Sequence, residues 1–159
     1  MEVTILHLED IEFDSGTFAK RFAVWGNIYV TIGDRCFPDN VWFDAASSML
    51  EMWIPALTSF SRGHTSTCEV FFMDGPLIIR FTHQNDGQIT AECIQDKISV
   101  VSETRIDFSA FLNSLSACAK MVGRTLYEQG SQHPFGREIA RFGRLGKKAR
   151  LLAMEVKAL

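Results

Sequence analysis

The side chains able to do chemistry are few in this chain and scattered along it. Across 159 residues there are four histidines, His7, His64, His83 and His133, and four cysteines, Cys36, Cys68, Cys93 and Cys118. No histidine lies four residues from another, and H-E-x-x-H is absent, so the helical zinc-hydrolase pattern is missing. No C-x-x-C occurs, and the cysteine spacings fit neither a zinc site nor a small disulfide scaffold. Serines are common, yet none sits in the G-x-S-x-G turn that exposes a nucleophile above a sheet. His7 and His83 fall in strand candidates and read as structural residues. Cys36, near Asp34 and ahead of a helix candidate, is the one thiol placed for activation; packing in the core is the plainer reading for all four. Gly143-Arg144-Leu145-Gly146-Lys147-Lys148 has the outline of a phosphate loop. It lacks the full spacing, the following Ser or Thr and the preceding strand, and reads as a basic helix broken by glycine. These residues predict no catalytic set, no metal site and no cofactor.

Charge carries more information. The net charge of −3 divides unevenly: residues 1–133 hold 9 basic and 17 acidic side chains, residues 134–159 hold 7 basic and 2 acidic. Such a division bears on partners, not on fold. The densest acid is Glu9, Asp10, Glu12 and Asp14, read as an exposed loop edge that can meet a basic protein. Acidic faces speed encounter with cationic partners and reject others. The basic tail could follow a phosphate backbone, but the acidic body and the lack of interleaved basic and aromatic residues in its strands argue against nucleic acid.

The elements that must position these groups follow from periodicity and punctuation. An apolar share of 47%, with 13 Phe and 3 Trp, supplies bulk for one core. Val3 to Leu8 reads as a strand, and Ser15-Gly16 as a break. Alternation at Phe18, Phe22 and Val24, then at Ile28, Val30 and Ile32, predicts a hairpin with Gly26-Asn27 as its turn or bulge. Pro38 with Asp39 or Asn40 predicts a helix entry. Trp42, Ala46, Met49, Leu50, Trp53 and Leu57 then share one helix face, with a kink or break at Pro55 and an end at Arg62-Gly63. Thr67–Met73, Leu77–His83, Ile89–Ile94 and Ile98–Thr104 form a four-strand meander, because their short connectors force antiparallel neighbours. Asp107 caps a helix striped by Phe108, Phe111, Leu112, Leu115, Ala119, Val122 and Leu126, ending near Gly130. After His133-Pro134 a last helix runs through Phe135, Ile139, Phe142, Ala149, Leu152 and Val156, weakened by Gly136, Gly143 and Gly146. The expected fold is α+β: an antiparallel sheet, hairpin plus meander, covered on one face by about three helices. The domain spans residues 1–133, and residues 134–159 pack on it as a basic amphipathic helix. The N-terminal residues lack a basic n-region, and no run of about 18 apolar residues occurs, so a cytoplasmic chain with reduced thiols and no membrane span is expected.

Phe22-x-x-Trp25-Gly26-Asn27, Phe37-Pro38-Asp39, Trp42-x-Asp44, Trp53 and Phe72-Met73-Asp74-Gly75-Pro76 give the chain a family likeness over roughly residues 18–126. On these motifs it resembles small bacterial immunity proteins encoded beside polymorphic or contact-dependent-inhibition toxins. The resemblance implies a non-enzymatic inhibitor that binds a cognate toxin domain in the cytoplasm and blocks its active site or substrate groove. A nuclease fits an acidic inhibitor, since nucleases must attract phosphate. Two other readings stand beside it. One is a small enzyme whose residues converge only in the fold, marked by a pocket holding His7 or His83 beside Cys, Asp or Glu. The other is a structural or regulatory subunit that self-associates through the C-terminal helix.

Overall fold

A computed structural model describes residues 1–14, 23–96, 98–129 and 136–157. Eleven elements follow in order: β1 (Glu2–Asp14), β2 (Ala23–Ile32), β3 (Arg35–Phe37), β4 (Phe43–Asp44), α1 (Ala46–Ser61), β5 (Thr67–Phe71), β6 (Ile78–His83), β7 (Ile89–Gln95), β8 (Ser99–Asp107), α2 (Phe108–Glu128) and α3 (Gly136–Lys157). The class is α+β, with a mostly antiparallel eight-stranded sheet ordered β3-β2-β1-β8-β7-β6-β5 and β4 paired to β2. The meander β5 to β8 pairs in sequence order, as its short connectors require. Ser15, Gly16, Phe18, Phe22, Gly130, His133, Pro134 and Phe135 lie outside the described residues.

The N-terminal half departs from the expected pattern. Strand β1 runs on through the acidic residues to Asp14, so these belong to a strand and not to a loop edge. Strand β2 is continuous through Gly26-Asn27, which is no turn but lies opposite a bulge: Asn27 pairs with Glu9, and Trp25 pairs with Glu12 after a register shift in β1. A Cβ on Gly26 would stand 2.8 Å from the carbonyl oxygen of Glu9, so the close strand approach requires glycine there. Cys36-Phe37-Pro38 opens no helix. Phe37 closes β3, the Phe37-Pro38 bond is cis, and Asp39 Oδ1 accepts from the Val41 amide in a turn. Helix α1 starts only at Ala46, so Trp42 and Trp53 do not share a helix face. Pro55 does not break α1, which runs on to Ser61 with Pro55 on its exposed side.

Trp42 instead joins a knot between distant segments. The Asp44 carboxylate is 1% exposed and accepts from Trp42 Nε1 (3.3 Å), Ala45 N (2.7 Å), Met73 N (2.8 Å) and Asp74 N (3.1 Å). A buried carboxylate is tolerated when donors converge on it in this way. Gly75, at φ 77°, turns the chain against the Trp42 ring, which a Cβ would meet at 3.6 Å. The knot ties β4 to the β5–β6 turn.

The two halves of the sheet meet at one short parallel contact, Glu2 with Ile106 and Val3 with Asp107. Beyond it β8 gives way to α2, begun by the Asp107 cap, whose Oδ1 accepts from the Ala110 amide at 2.9 Å. Helix α2 then covers the β1 edge that β8 has left. Ser114 Oγ accepts from the Leu6 amide (2.8 Å), and Cys118 Sγ donates to the Leu6 carbonyl (3.6 Å). On β2, Ser47 of α1 accepts from the Val24 amide in the same manner (3.0 Å). Backbone groups at a strand edge must find partners when buried, and helix side chains supply them.

Helix α3 lies over α2 and α1 and shares their core through Phe142, Ala149, Leu152 and Ala153. Its glycines differ in role. A Cβ on Gly146 would lie 3.3 Å from the Ser116 carbonyl oxygen, so Gly146 marks a close approach of α3 to α2, whereas Gly143 has nothing within 4 Å. Gly143→Ala therefore raises stability by about 0.5–1 kcal/mol, and Gly146→Leu lowers it by about 1–3 kcal/mol through overpacking. Urea denaturation checks both, and equal effects would contradict this helix contact. Leu115, 0% exposed on α2, sets the scale of the core: Leu115→Ala costs about 2–5 kcal/mol, and a loss under about half a kcal/mol would place the helix face elsewhere.

Candidate partner-binding face

Inward apolar residues of β1 fall at Leu6, Leu8, Ile11 and Phe13, with one spacing of three in a strand whose period is two. The extra residue is Asp10. It takes a left-handed conformation, φ 49°, which Asp tolerates better than most residues, and the register with β2 shifts between Glu9 and Glu12. A one-residue bulge inverts the face taken by every later side chain. Ile5, His7 and Glu9 point outward before it, Glu12 and Asp14 after it, while Ile11 and Phe13 stay with the core. Without the bulge, three carboxylates, Asp10, Glu12 and Asp14, would turn inward.

Pairing then fixes the outer neighbours. Ile5 lies opposite Thr31, which lies opposite Cys36; His7 faces Tyr29; Glu9, Asn27 and Phe43 form one row across three strands; Glu12 faces Trp25. The His7 ring stacks on Tyr29 at 4.8 Å, with Nε2 2.9 Å from Thr31 Oγ1. Burial raises the Tyr29 pKa, and the Glu9 charge raises it further, so the phenol keeps its proton and donates to Glu9 Oε1 at 3.3 Å. Asn27 Nδ2 donates to Asp10 Oδ2 at 2.9 Å. Trp25 and Phe43 stack with centroids 5.9 Å apart and planes 15° apart, and 42% of Phe43 is exposed.

The four acidic residues singled out from the sequence, Glu9, Asp10, Glu12 and Asp14, are thus gathered on one strand end, all exposed. Among the described residues, Glu9, Asp10 and Glu12 form no ion pair. The meander half differs: Glu69 and Glu92 hold Arg80 between them at 2.9 and 3.3 Å, and hydrogen bonding to Glu69 raises the Arg80 pKa. Sequence reasoning missed Trp25, Tyr29 and Phe43 as members of this face. Odd-numbered alternation from Trp25 to Thr31 carried the signal for the first two. Phe43 carried none, because Pro38 and Asp39 mimic a helix start.

Two concave regions bear on the enzyme reading. A cleft of about 690 Å³ opens between the Gly33-Asp34 tip and the meander, lined by Glu2, Arg35, Cys36, Cys93, Gln95 and Glu103 among others. Burial pushes the Cys93 thiol up, against a smaller opposing effect of its bond to Ser102. A groove of about 520 Å³ between β1 and α2 does bring His7, Glu9 and Cys118 into one lining. Its chemistry is poor: His7 Nε2 is engaged with Thr31, and burial pushes Cys118 up to about 12 with its proton on the Leu6 carbonyl. A thiol held protonated at neutral pH is no nucleophile. His83 Nε2 is bound to the Phe60 carbonyl at 3.0 Å. Among the described residues no three His, Cys, Asp or Glu gather as a metal site, and no helix is long and apolar enough to cross a membrane.

No protein-family model, no curated protein and no solved structure matches the chain.

Thiol labelling tests this geometry. Cys36 is exposed, and Cys68, Cys93 and Cys118 are buried. Iodoacetamide at pH 8 should label the folded chain at Cys36, and the others only after unfolding, as read by peptide mass spectrometry. Labelling of Cys118 at a rate near that of Cys36 would contradict the placement of α2 on β1.

Proposed function

We propose that the chain is a non-catalytic immunity protein that binds a basic toxin domain, a nuclease, in the cytoplasm through the outer face of β1 and β2. One observation carries this reading: the bulge at Asp10 sets Glu9, Asp10 and Glu12 on an exposed face beside Trp25 and Phe43. Nucleases gather cationic side chains to attract phosphate, and such a surface complements unpaired carboxylates. Long-range attraction then speeds encounter, and the exposed Phe43 ring with the half-buried Trp25 ring supplies the apolar anchors that hold a complex. The residues behind the family resemblance support a division of labour. Trp42, Asp44 and the Met73-Asp74-Gly75 turn are occupied in a buried knot, so they suit a scaffold, and the contact surface falls to residues outside the motifs.

The reading predicts that a neighbouring gene encodes a large secreted protein whose C-terminal domain is toxic, and that co-expression of this chain restores growth. Replacing Glu9, Asp10, Glu12 and Asp14 by Gln or Asn should slow association with that domain by about tenfold or more at low salt. The deficit should shrink as the Debye length falls from about 10 Å at 0.1 M to about 3 Å at 1 M. Stopped-flow mixing reads both; a rate insensitive to salt and to the four substitutions would remove this face from the interaction.

A further inference from the structure

We propose that Trp25 and Phe43 form a shelf for an arginine side chain of the partner, with Glu9 and Glu12 as its counter-charges; the proposal deepens the inhibitor reading above and rests on it. The two rings are near parallel, 15° apart, on the outer face of the sheet. Phe43 is 42% exposed, as is Phe71 on β5 at 48%, whereas Phe37, Phe72, Phe81, Phe108 and Phe111 are buried in the core. Carboxylates flank the shelf on the adjoining strand: Glu12 lies directly opposite Trp25, and Glu9 lies in the row of Asn27 and Phe43. Directly opposed residues hold their Cβ atoms about 4.5–5.5 Å apart, so one cation can meet both ring and carboxylate.

The chemistry selects among cations. A guanidinium is planar, stacks on aromatic faces, and presents edge donors to a carboxylate at the same time. An ammonium is compact and strongly hydrated, and gains less from a stacked pair of rings. Carboxylates alone would accept either. The exposed Phe43 ring and the half-buried Trp25 ring beside them turn a general attraction for base into a preference for arginine. Another source of arginine is α3 of a second copy, whose Arg137, Arg141 and Arg144 are exposed.

Titration of the full chain with hexa-arginine and hexa-lysine peptides decides the matter. Calorimetry gives the affinities, and the Trp25 indole N–H resonance reports the site. Arginine should bind about three- to fivefold more tightly than lysine and shift the Trp25 signal. Phe43→Leu, at an exposed position that leaves the core intact, should narrow the difference between the two peptides, since only the Trp25 ring then remains. The double substitution Glu9→Gln and Glu12→Gln should weaken both alike. Equal affinities in the unsubstituted chain, or a preference undiminished by Phe43→Leu in a variant of unchanged melting temperature, overturns the shelf. Sedimentation of the chain alone completes the test: self-association lost in the triple variant Arg137→Gln, Arg141→Gln, Arg144→Gln gives the shelf to a second copy and overturns assignment to a partner. These peptides contain no toxin, so a negative titration removes the shelf and leaves the inhibitor reading standing. Failure to restore growth removes the inhibitor reading and leaves the titration intact.

Discussion

Strand β1 must satisfy its backbone against two different neighbours, and most of the architecture follows from how it does so. Its first residues pair with β8 at Ile106 and Asp107. Among the described residues the rest has no strand beside it on that edge, and α2, launched from Asp107, runs alongside. Ser114 and Cys118 take the Leu6 amide and carbonyl. Each is a short polar side chain in a helix that otherwise turns large apolar groups to the core. The substitution of helix for strand lets one core, from Leu6 to Phe142, continue across two half-sheets joined at a single point. Leaving those backbone groups buried and unpaired would cost about 1–3 kcal/mol each. Helix α3 then closes the outer side of α2, where Gly146 permits close approach.

The same strand sets the candidate site. A bulge of one residue reverses the inside–outside order of β1, so an acidic run that would alternate between core and solvent faces solvent throughout. Cost and purpose meet at Asp10, a non-glycine residue at positive φ whose side chain is held by Asn27. Charge is thereby separated across the molecule, acid on the outer sheet face and base on the exposed side of α3. The acid of the meander half is partly neutralised by Arg80, whereas among the described residues Glu9, Asp10 and Glu12 form no ion pair.

Local signals made part of this legible. The meander was readable because Asp74-Gly75-Pro76 and Asn85-Asp86-Gly87 leave no room for crossovers, and α2 because its cap and apolar stripe agree. The failures share a cause: residues used over long range look local. Pro38, Asp39 and Asn40 have the chemistry of a helix start, yet the segment forms a turn between β3 and β4 because the Asp44 carboxylate gathers the Trp42 indole with the Met73 and Asp74 amides, which lie some thirty residues away. Gly26-Asn27 has the chemistry of a turn, yet Gly26 serves close approach to β1. The bulge itself could have been read from the three-residue step between Leu8 and Ile11. The parallel contact of β1 with β8 could not, since it joins segments more than a hundred residues apart with no local signature. On the candidate face, the charges stood out in the sequence and the rings did not, because only the pairing of β4 with β2 brings Phe43 beside Trp25.

The claim that the outer face of β1 and β2 is the contact surface is tested most directly by hydroxyl-radical footprinting, with and without the toxin domain. The method reads solvent exposure side chain by side chain. Exposed apolar residues are spread over the described surface, with Phe43 at 42%, Phe71 at 48%, Met73 at 50%, Leu151 at 49% and Met154 at 62%. In the complex, oxidation of Trp25 and Phe43 should fall severalfold, while Leu151 and Met154 on α3 keep their free-state rates. Protection of Leu151 and Met154 with Trp25 and Phe43 unchanged would contradict the account and move the interface to the basic helix.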